Sequence, residues 1–246
     1  MMHIDLNCDM GEGIGNEALL MPFISSANIA CGFHAGDAAE MERVVQLCLQ
    51  HNVAIGAHPS FADKANFGRT EMHLPAGEIE QLIQTQLSQL NKIVIKAGGK
   101  LHHIKPHGAL YNMAAKDAVL AKAIATAVKN FDGSLVLYGL SGSVMIDEAA
   151  QAGLRIAQEV FADRTYQHDG SLTPRSFPGA MITSAELAIQ QVLQMINEQQ
   201  VTAMNSERIP IKAATICIHG DGANAVTFAK QINQSLSVAG IQTQTI

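Results

Sequence analysis

The sequence predicts a parallel α/β fold, either a closed barrel or a doubly wound sheet. Three observations carry this expectation. Short apolar segments alternate with longer segments of helical periodicity along the chain. Repeated strand-then-helix order implies a parallel sheet buried on both faces. Right-handed crossovers then lead to one of the two architectures. No G-x-G-x-x-G and no G-x-x-x-x-G-K-[ST] occurs, which counts against a nucleotide-binding sheet.

The predicted strands begin with IDLNC at Ile4 and SANIAC at Ser26. A helix follows from Asp37, with Met41, Val44, Val45 and Cys48 on one face and Asp37 with Glu40 as a capping box. The third strand is VAIGAH from Val53. The next helix starts at Glu78, carries Ile79, Leu82, Ile83, Leu87 and Leu90, and ends at Gly98 and Gly99. LHHIKP from Leu101 precedes a helix marked by Val119, Ala123, Ala127 and Phe131. SLVLYG from Ser134 and RIAQEV from Arg155 follow. Thr183 and Glu186 are expected to cap a helix carrying Leu187, Val192 and Ile196. ATICIH from Ala214 leads to a last helix, with Val226, Ala229, Ile232 and Leu236, closed by Gly240. Two irregular connections, 59–75 and 161–179, are long enough to expect a functional role. Without a linker, repeat or low-complexity tract, residues 1–246 are expected to form a single domain.

Composition narrows the function classes. Hydrophobic residues make up 48% of the 246 and charged residues 15%, so a large core is expected rather than disorder. Trp is absent and aromatics are 4%, which disfavours a stacking platform for single-stranded nucleic acid. A net charge of -6 with no basic patch makes a polyanionic partner a poor expectation. No apolar run is long enough to span a bilayer, and Asp5 and Asp9 come too early for a signal peptide. Cys8, Cys31, Cys48 and Cys217 form no C-x-x-C pair and read as reduced thiols of a cytoplasmic protein.

Polar residues gather at the C-terminal ends of the predicted strands. Asn7, Asp9 and Glu12 end the first; His34 and Asp37 follow the second; His58 ends the third. Lys105, His107 and Tyr111 follow the fourth, and Glu159, Asp163, Arg164 and Tyr166 end the sixth. His219 and Asp221 follow the seventh. That edge of a parallel α/β fold is where ligands and catalytic groups sit. Each residue also has a plainer role. Asp37 can simply cap a helix. Asp5 lies inside a strand and needs a partner, Lys105 among them. His103 or His219 alone reads as a structural histidine, and Cys31 and Cys217 as small packing groups. His34, His58 and His107 with Asp5 or Asp9 can hold a divalent metal. The same groups can instead work without metal, with a carboxylate base and a lysine or imidazole at a carbonyl. Arg69, Arg164 and Arg175, in the long loops, suit a substrate carboxylate.

DLNCDMGEG, SSANIACGFHAGD, IGAHPSF, FGR, KPHGALYNMAA, FADRTY with DGSL, and CIHGDG occur together and in this order. In these motifs the chain resembles the family of 5-oxoprolinase A subunits, also called the LamB/YcsF family of lactam utilisation proteins. The resemblance runs from Asp5 to about Gly240. Two departures, SFAD from Ser60 and Thr70 after Arg69, bear on loop detail and substrate fit.

The resemblance implies a distorted TIM-like barrel of about seven parallel strands, like that of the glycoside hydrolase and deacetylase superfamily. It implies ATP-dependent opening of the lactam of 5-oxoproline (pyroglutamate) to L-glutamate, together with 5-oxoprolinase subunits B and C. ATP is then a co-substrate bound by those partners; whether a metal takes part is left open. The expected catalytic set is Asp5, Asn7, Asp9, Glu12, His34, Asp37, His58, Lys105 and His107. The expected substrate-binding set is Arg69, Tyr111, Asp163, Arg164, Arg175 and His219. Asp5→Ala or His107→Ala is expected to abolish turnover. The alternatives are a stand-alone metal-dependent deacetylase or amidohydrolase, and a non-catalytic substrate-delivery subunit.

Overall fold

The structure is a computed structural model that describes residues 2–220 and 225–246. Its strands are β1 (Met2–Met10), β2 (Ser26–Ala30), β3 (Ala54–His58), β4 (Leu101–Ile104), β5 (Val136–Leu140), β6 (Arg155–Phe161), β7 (Gln200–Thr202), β8 (Arg208–Pro210), β9 (Thr215–Ile218) and β10 (Ile241–Thr243). Its helices are α1 (Glu17–Leu20), α2 (Ala38–His51), α3 (Ala76–Lys96), α4 (Gly108–Ala114), α5 (Ala118–Asp132), α6 (Val144–Gln151), α7 (Ala185–Asn197) and α8 (Ala225–Val238).

Among the described residues, seven parallel strands close a barrel in the order β1-β2-β3-β4-β5-β6-β9, with β9 returning to β1. These are the seven strands expected from the sequence, and closure decides for the barrel over the doubly wound sheet. Two features were not expected: β10, which runs beside the start of β1, and the antiparallel β7–β8 hairpin. Each of these strands is three residues long, too short for a hydrophobic period to register.

The helices wrap the barrel with their apolar faces inward. On α3, Ile79, Ile83, Leu87, Leu90 and Val94 are buried, each worth about 1.5–3 kcal/mol. Gly98 and Gly99 end α3 by donating to Ile95 O and Val94 O. The capping box on α2 is half formed: Asp37 accepts from Glu40 N, while Glu40 turns to the Gly13 N–H. Two predicted stripes are corrected. Val119 on α5 and Leu187 on α7 face solvent, while Ala123, Ala127 and Val192 are buried as expected and are joined by Leu120, Ile124 and Val128, and by Ala188 and Met195. The cap of α7 is Ser184, not Thr183, accepting from Leu187 N.

The barrel lumen is polar. Side chains of β1 that point inward, Asp5, Asn7 and Asp9, sit at three successive levels. At the lowest, Asp5 accepts hydrogen bonds from the hydroxyls of Ser25, Ser26 and Thr215 at 2.6, 2.7 and 2.6 Å. In the middle, Asn7 accepts from Asn28 Nδ2 at 2.7 Å and donates to Thr215 Oγ1 at 2.7 Å and Glu159 Oε1 at 3.0 Å. His103 donates through Nε2 to Asn28 Oδ1 at 2.8 Å and stacks on Tyr138. Gly56 makes room for that ring: a Cβ there would stand 2.0 Å from His103 Nε2. Every buried polar group in these levels thus has a partner, which offsets the cost of removing it from water.

Candidate active site

The top level of the lumen opens into a cleft of about 610 Å³ at the C-terminal ends of the strands. Asp9, Glu12, His58, Lys105, His107 and Tyr111 line its floor and walls, with Arg69, Arg175 and His219 also bordering it. Parallel topology brings these residues together. β1 delivers Asp9 inward, and the turn after Met10 places Glu12 above it. β3 ends on His58, and Lys105 and His107 fill the short connection between β4 and α4.

Lys105 is the hub. Its ammonium lies 2.9 Å from Asp9 Oδ1, 2.9 Å from Glu159 Oε1, 3.1 Å from Cys217 Sγ and 3.3 Å from Asn7 Oδ1. Burial alone would lower the Lys105 pKa, but Asp9 and Glu159 outweigh it and carry it well above the usual lysine range. Burial would raise Asp9 likewise, yet the charges of His58 and Lys105 hold it well below the usual carboxylate range. Glu159 also accepts from the Tyr111 hydroxyl at 2.7 Å, and that phenol is pushed well up by burial and by the Glu159 charge.

Three imidazoles pack beside this pair. His58 donates through Nδ1 to Lys105 O at 2.7 Å, and its Nε2 faces Asp9 Oδ2 at 3.3 Å. Burial opposes its protonation, but Asp9 raises its pKa above the ordinary value. His107 donates through Nε2 to Phe67 O at 2.9 Å and is held neutral by burial and by the neighbouring His58 charge. His34 is stacked on His107, with ring centroids 3.9 Å apart, and reaches Glu12 Oε1 through Nε2 at 3.2 Å. Burial lowers its pKa, and its Nδ1 is buried without a hydrogen-bond partner. Gly68 closes the first long loop over these rings; its φ is +66°, and a Cβ would stand 2.9 Å from His34 Cβ.

The structure brings Asp9, Glu12, His34, His58, Lys105 and His107 together, with Asn7 directly beneath and Tyr111 at the side. Asp5 is not among them. It lies roughly 13 Å below Asp9 along β1, four residues at the strand rise, and its partners are hydroxyls rather than Lys105. Asp37 is exposed and caps α2, the plainer of its two readings. Arg164 borders the cleft, but its buried guanidinium donates to Thr173 O and Ala180 O and so holds the second long loop. Asp163 accepts from His219 Nδ1 at 2.8 Å, and His219 stacks on Phe161. Arg69 lies over the Phe67 ring, 5.0 Å from its centroid. Asp221 lies outside the described residues. The residue missing from the expected set is Glu159, whose signal was a carboxylate inside an otherwise buried strand, in register with Thr215.

Chemically, the floor offers an ionised carboxylate beside an ammonium, both shielded from water, and a histidine pair that can take or give a proton. Among the described residues, no helix is long and apolar enough to cross a membrane.

The family model described as LamB/YcsF family matches residues 4–246. The chain is 52% identical over 247 residues to the 5-oxoprolinase A subunit of Tolumonas auensis, covering 98% of each chain. It is 52% identical over 246 residues to the protein of that name in Bordetella pertussis, again covering 98% of each. Among solved structures, the lactam utilization protein from Thermus thermophilus superposes with a TM-score of 0.93 at 41% identity, covering 100% of both chains. With a matched model over almost its whole length and relatives of equal length, the chain belongs to the LamB/YcsF family.

Proposed function

We propose that this chain is the A subunit of an ATP-dependent 5-oxoprolinase, opening the lactam of 5-oxoproline to L-glutamate with subunits B and C. The observation that carries the reading is the buried Asp9–Lys105 pair at the floor of an open cleft bordered by Arg69 and Arg175. The names borne by the relatives at 52% identity support it.

An unstrained lactam is a resonance-stabilised amide, so its carbon resists water. Transfer of the ATP γ-phosphoryl group to the lactam oxygen, with ADP leaving, makes that carbon electrophilic. Water then adds to the carbon, and the ring C–N bond breaks as the nitrogen takes a proton, leaving an acyl phosphate on the side-chain carboxyl. A second water attacks that acyl carbon and breaks its C–O bond to phosphate, giving glutamate and phosphate beside the ADP already released. Asp9 is the base assigned to the water. Lys105 steadies negative charge on the former carbonyl oxygen. Arg69 and Arg175 hold the substrate carboxylate. ATP is assigned to the partner subunits. Buried free cysteines and dependence on ATP favour a cytoplasmic setting.

The test is isotopic. With ¹⁸O in the lactam carbonyl, the reconstituted complex should release phosphate carrying one ¹⁸O. Label retained wholly in glutamate would overturn the phosphorylation step. A second reading, an amidohydrolase or deacetylase that works alone with a metal, is favoured by one observation, the convergence of Glu12 with three histidines. Chelator-sensitive, ATP-independent hydrolysis by the isolated chain would select it.

A further inference from the structure

Glu12, His34, His58 and His107 each bring one ligating atom into a space where all four lie within 4.8 Å of one another. Their hydrogen bonds sort them further. A backbone carbonyl can only accept, so the bonds to Lys105 O and Phe67 O fix hydrogens on His58 Nδ1 and His107 Nε2. When both rings are neutral, the lone pairs are therefore on His58 Nε2 and His107 Nδ1, and these two atoms face each other at 2.9 Å. Glu12 Oε1, a third acceptor, stands 3.4 Å from His107 Nδ1 and 3.8 Å from His58 Nε2. Three lone pairs converging in this way repel one another unless a cation lies between them. A proton on one imidazole relieves the two contacts that ring makes and leaves the third; a divalent ion relieves all three.

The dimensions suit such an ion. Separations of 2.9, 3.4 and 3.8 Å leave a point about 2.0 Å from all three atoms, the bond length that nitrogen and carboxylate ligands make to zinc-sized ions. His34 does not complete the set. Its ring is stacked on His107 with an interplanar angle of 9°, so the two rings cannot both aim in-plane lone pairs at one ion. It donates instead to Glu12 Oε1 and orients that carboxylate. The backbone carbonyls behind His58 and His107 supply the outer contacts typical of metal-bound histidine. Asp9 and Glu159 already share the single ammonium of Lys105, and Glu12 adds a third carboxylate beside the histidines, so the local charge favours a dication.

We infer that Glu12, His58 and His107 form a divalent transition-metal site at the wall of the cleft, with His34 positioning Glu12. Two nitrogens and one carboxylate select zinc, cobalt, manganese or iron over magnesium and calcium. Glu12, His58 and His107 all border the cleft, so the ion has a coordination position open to substrate or water beside Asp9. This assignment does not depend on which amide or ester the cleft takes.

The test uses the whole chain, stripped with chelator and reloaded with Co(II). The wild type should bind about one Co(II) per chain and show visible absorption bands from low-symmetry coordination, and Zn(II) should displace them. Glu12→Gln and His58→Asn should each weaken Co(II) binding by tenfold or more, and His34→Asn by about 10–100-fold. Asp5→Asn, remote from the site, should bind as the wild type does. Melting of each chelated variant reports whether it folds. A wild type that takes up no Co(II) and shows no bands overturns the assignment, as does binding that survives in folded Glu12→Gln and His58→Asn. These readouts are independent of lactam turnover, so they stand or fall apart from the oxoprolinase reading.

Discussion

Lys105 holds its ammonium 2.9 Å from Asp9 and is itself held from below by Glu159, also at 2.9 Å. The lysine is almost fully buried, so this is a desolvated pair in which each charge depends on the other. Lys105→Met should leave two carboxylates buried without their cation and cost about 3–5 kcal/mol of stability. Lys105→Met combined with Glu159→Gln should recover part of that loss but none of the activity. Denaturant unfolding of the two single variants and the double variant measures the coupling.

Asp5 separates structure from chemistry. Its three hydroxyl partners tie the starts of β1, β2 and β9 together at the far end of the lumen. Asp5→Ala should lower stability by about 1–3 kcal/mol for each hydroxyl left unsatisfied. Turnover per folded molecule should stay near the wild-type value, against the expectation from sequence. Thermal melting with active-site titration distinguishes the two effects.

The histidines set the pH response of the metal-free protein. Burial depresses His34, His103 and His107, so the unfolded chain binds more protons below pH ~6.5. Stability from these groups is therefore complete above that pH and is lost as pH falls toward their folded values. His58 runs the other way. Its raised value gives stability that is full below pH ~6.5 and is lost as pH rises through the folded value. Stability should thus peak near pH ~6.5, between the two trends. In His107→Asn the fall on the acid side should be shallower, which a series of melts across pH would show.

Thiol chemistry should be silent in the native state. All four cysteines are free and buried, and burial pushes Cys31 and Cys48 up to about 12. A thiolate reagent at about pH 8 should label none of them in the folded protein and all of them after denaturation. Rapid labelling of native protein would show that the lumen opens far more readily than its packing implies.

The barrel was legible because its strands are long enough to show an apolar run and are separated by helices with clear stripes. The site was legible as a set of strand ends, since parallel topology sends every such end to one face. Which inward residue reaches the cleft was not. Asp5, Asn7 and Asp9 share one face of β1, and only the pairing register shows that Asp5 meets Thr215 while Asp9 meets Asn28. Glu159, noted at the end of the sixth strand, was left out of both site sets for the same reason: its role depends on Lys105 crossing the lumen, a contact between strands far apart in sequence. Arg164 looked like a ligand for substrate because loop arginines often are, yet loop carbonyls consume it.

The most direct test is glutamate release from 5-oxoproline and ATP, measured for this chain alone, with subunits B and C, and with Asp9→Asn in the same mixture. Release is expected only from the full mixture, abolished by Asp9→Asn while the variant still folds and assembles. Near-normal release with Asp9→Asn, or from the partners without this chain, would contradict that expectation.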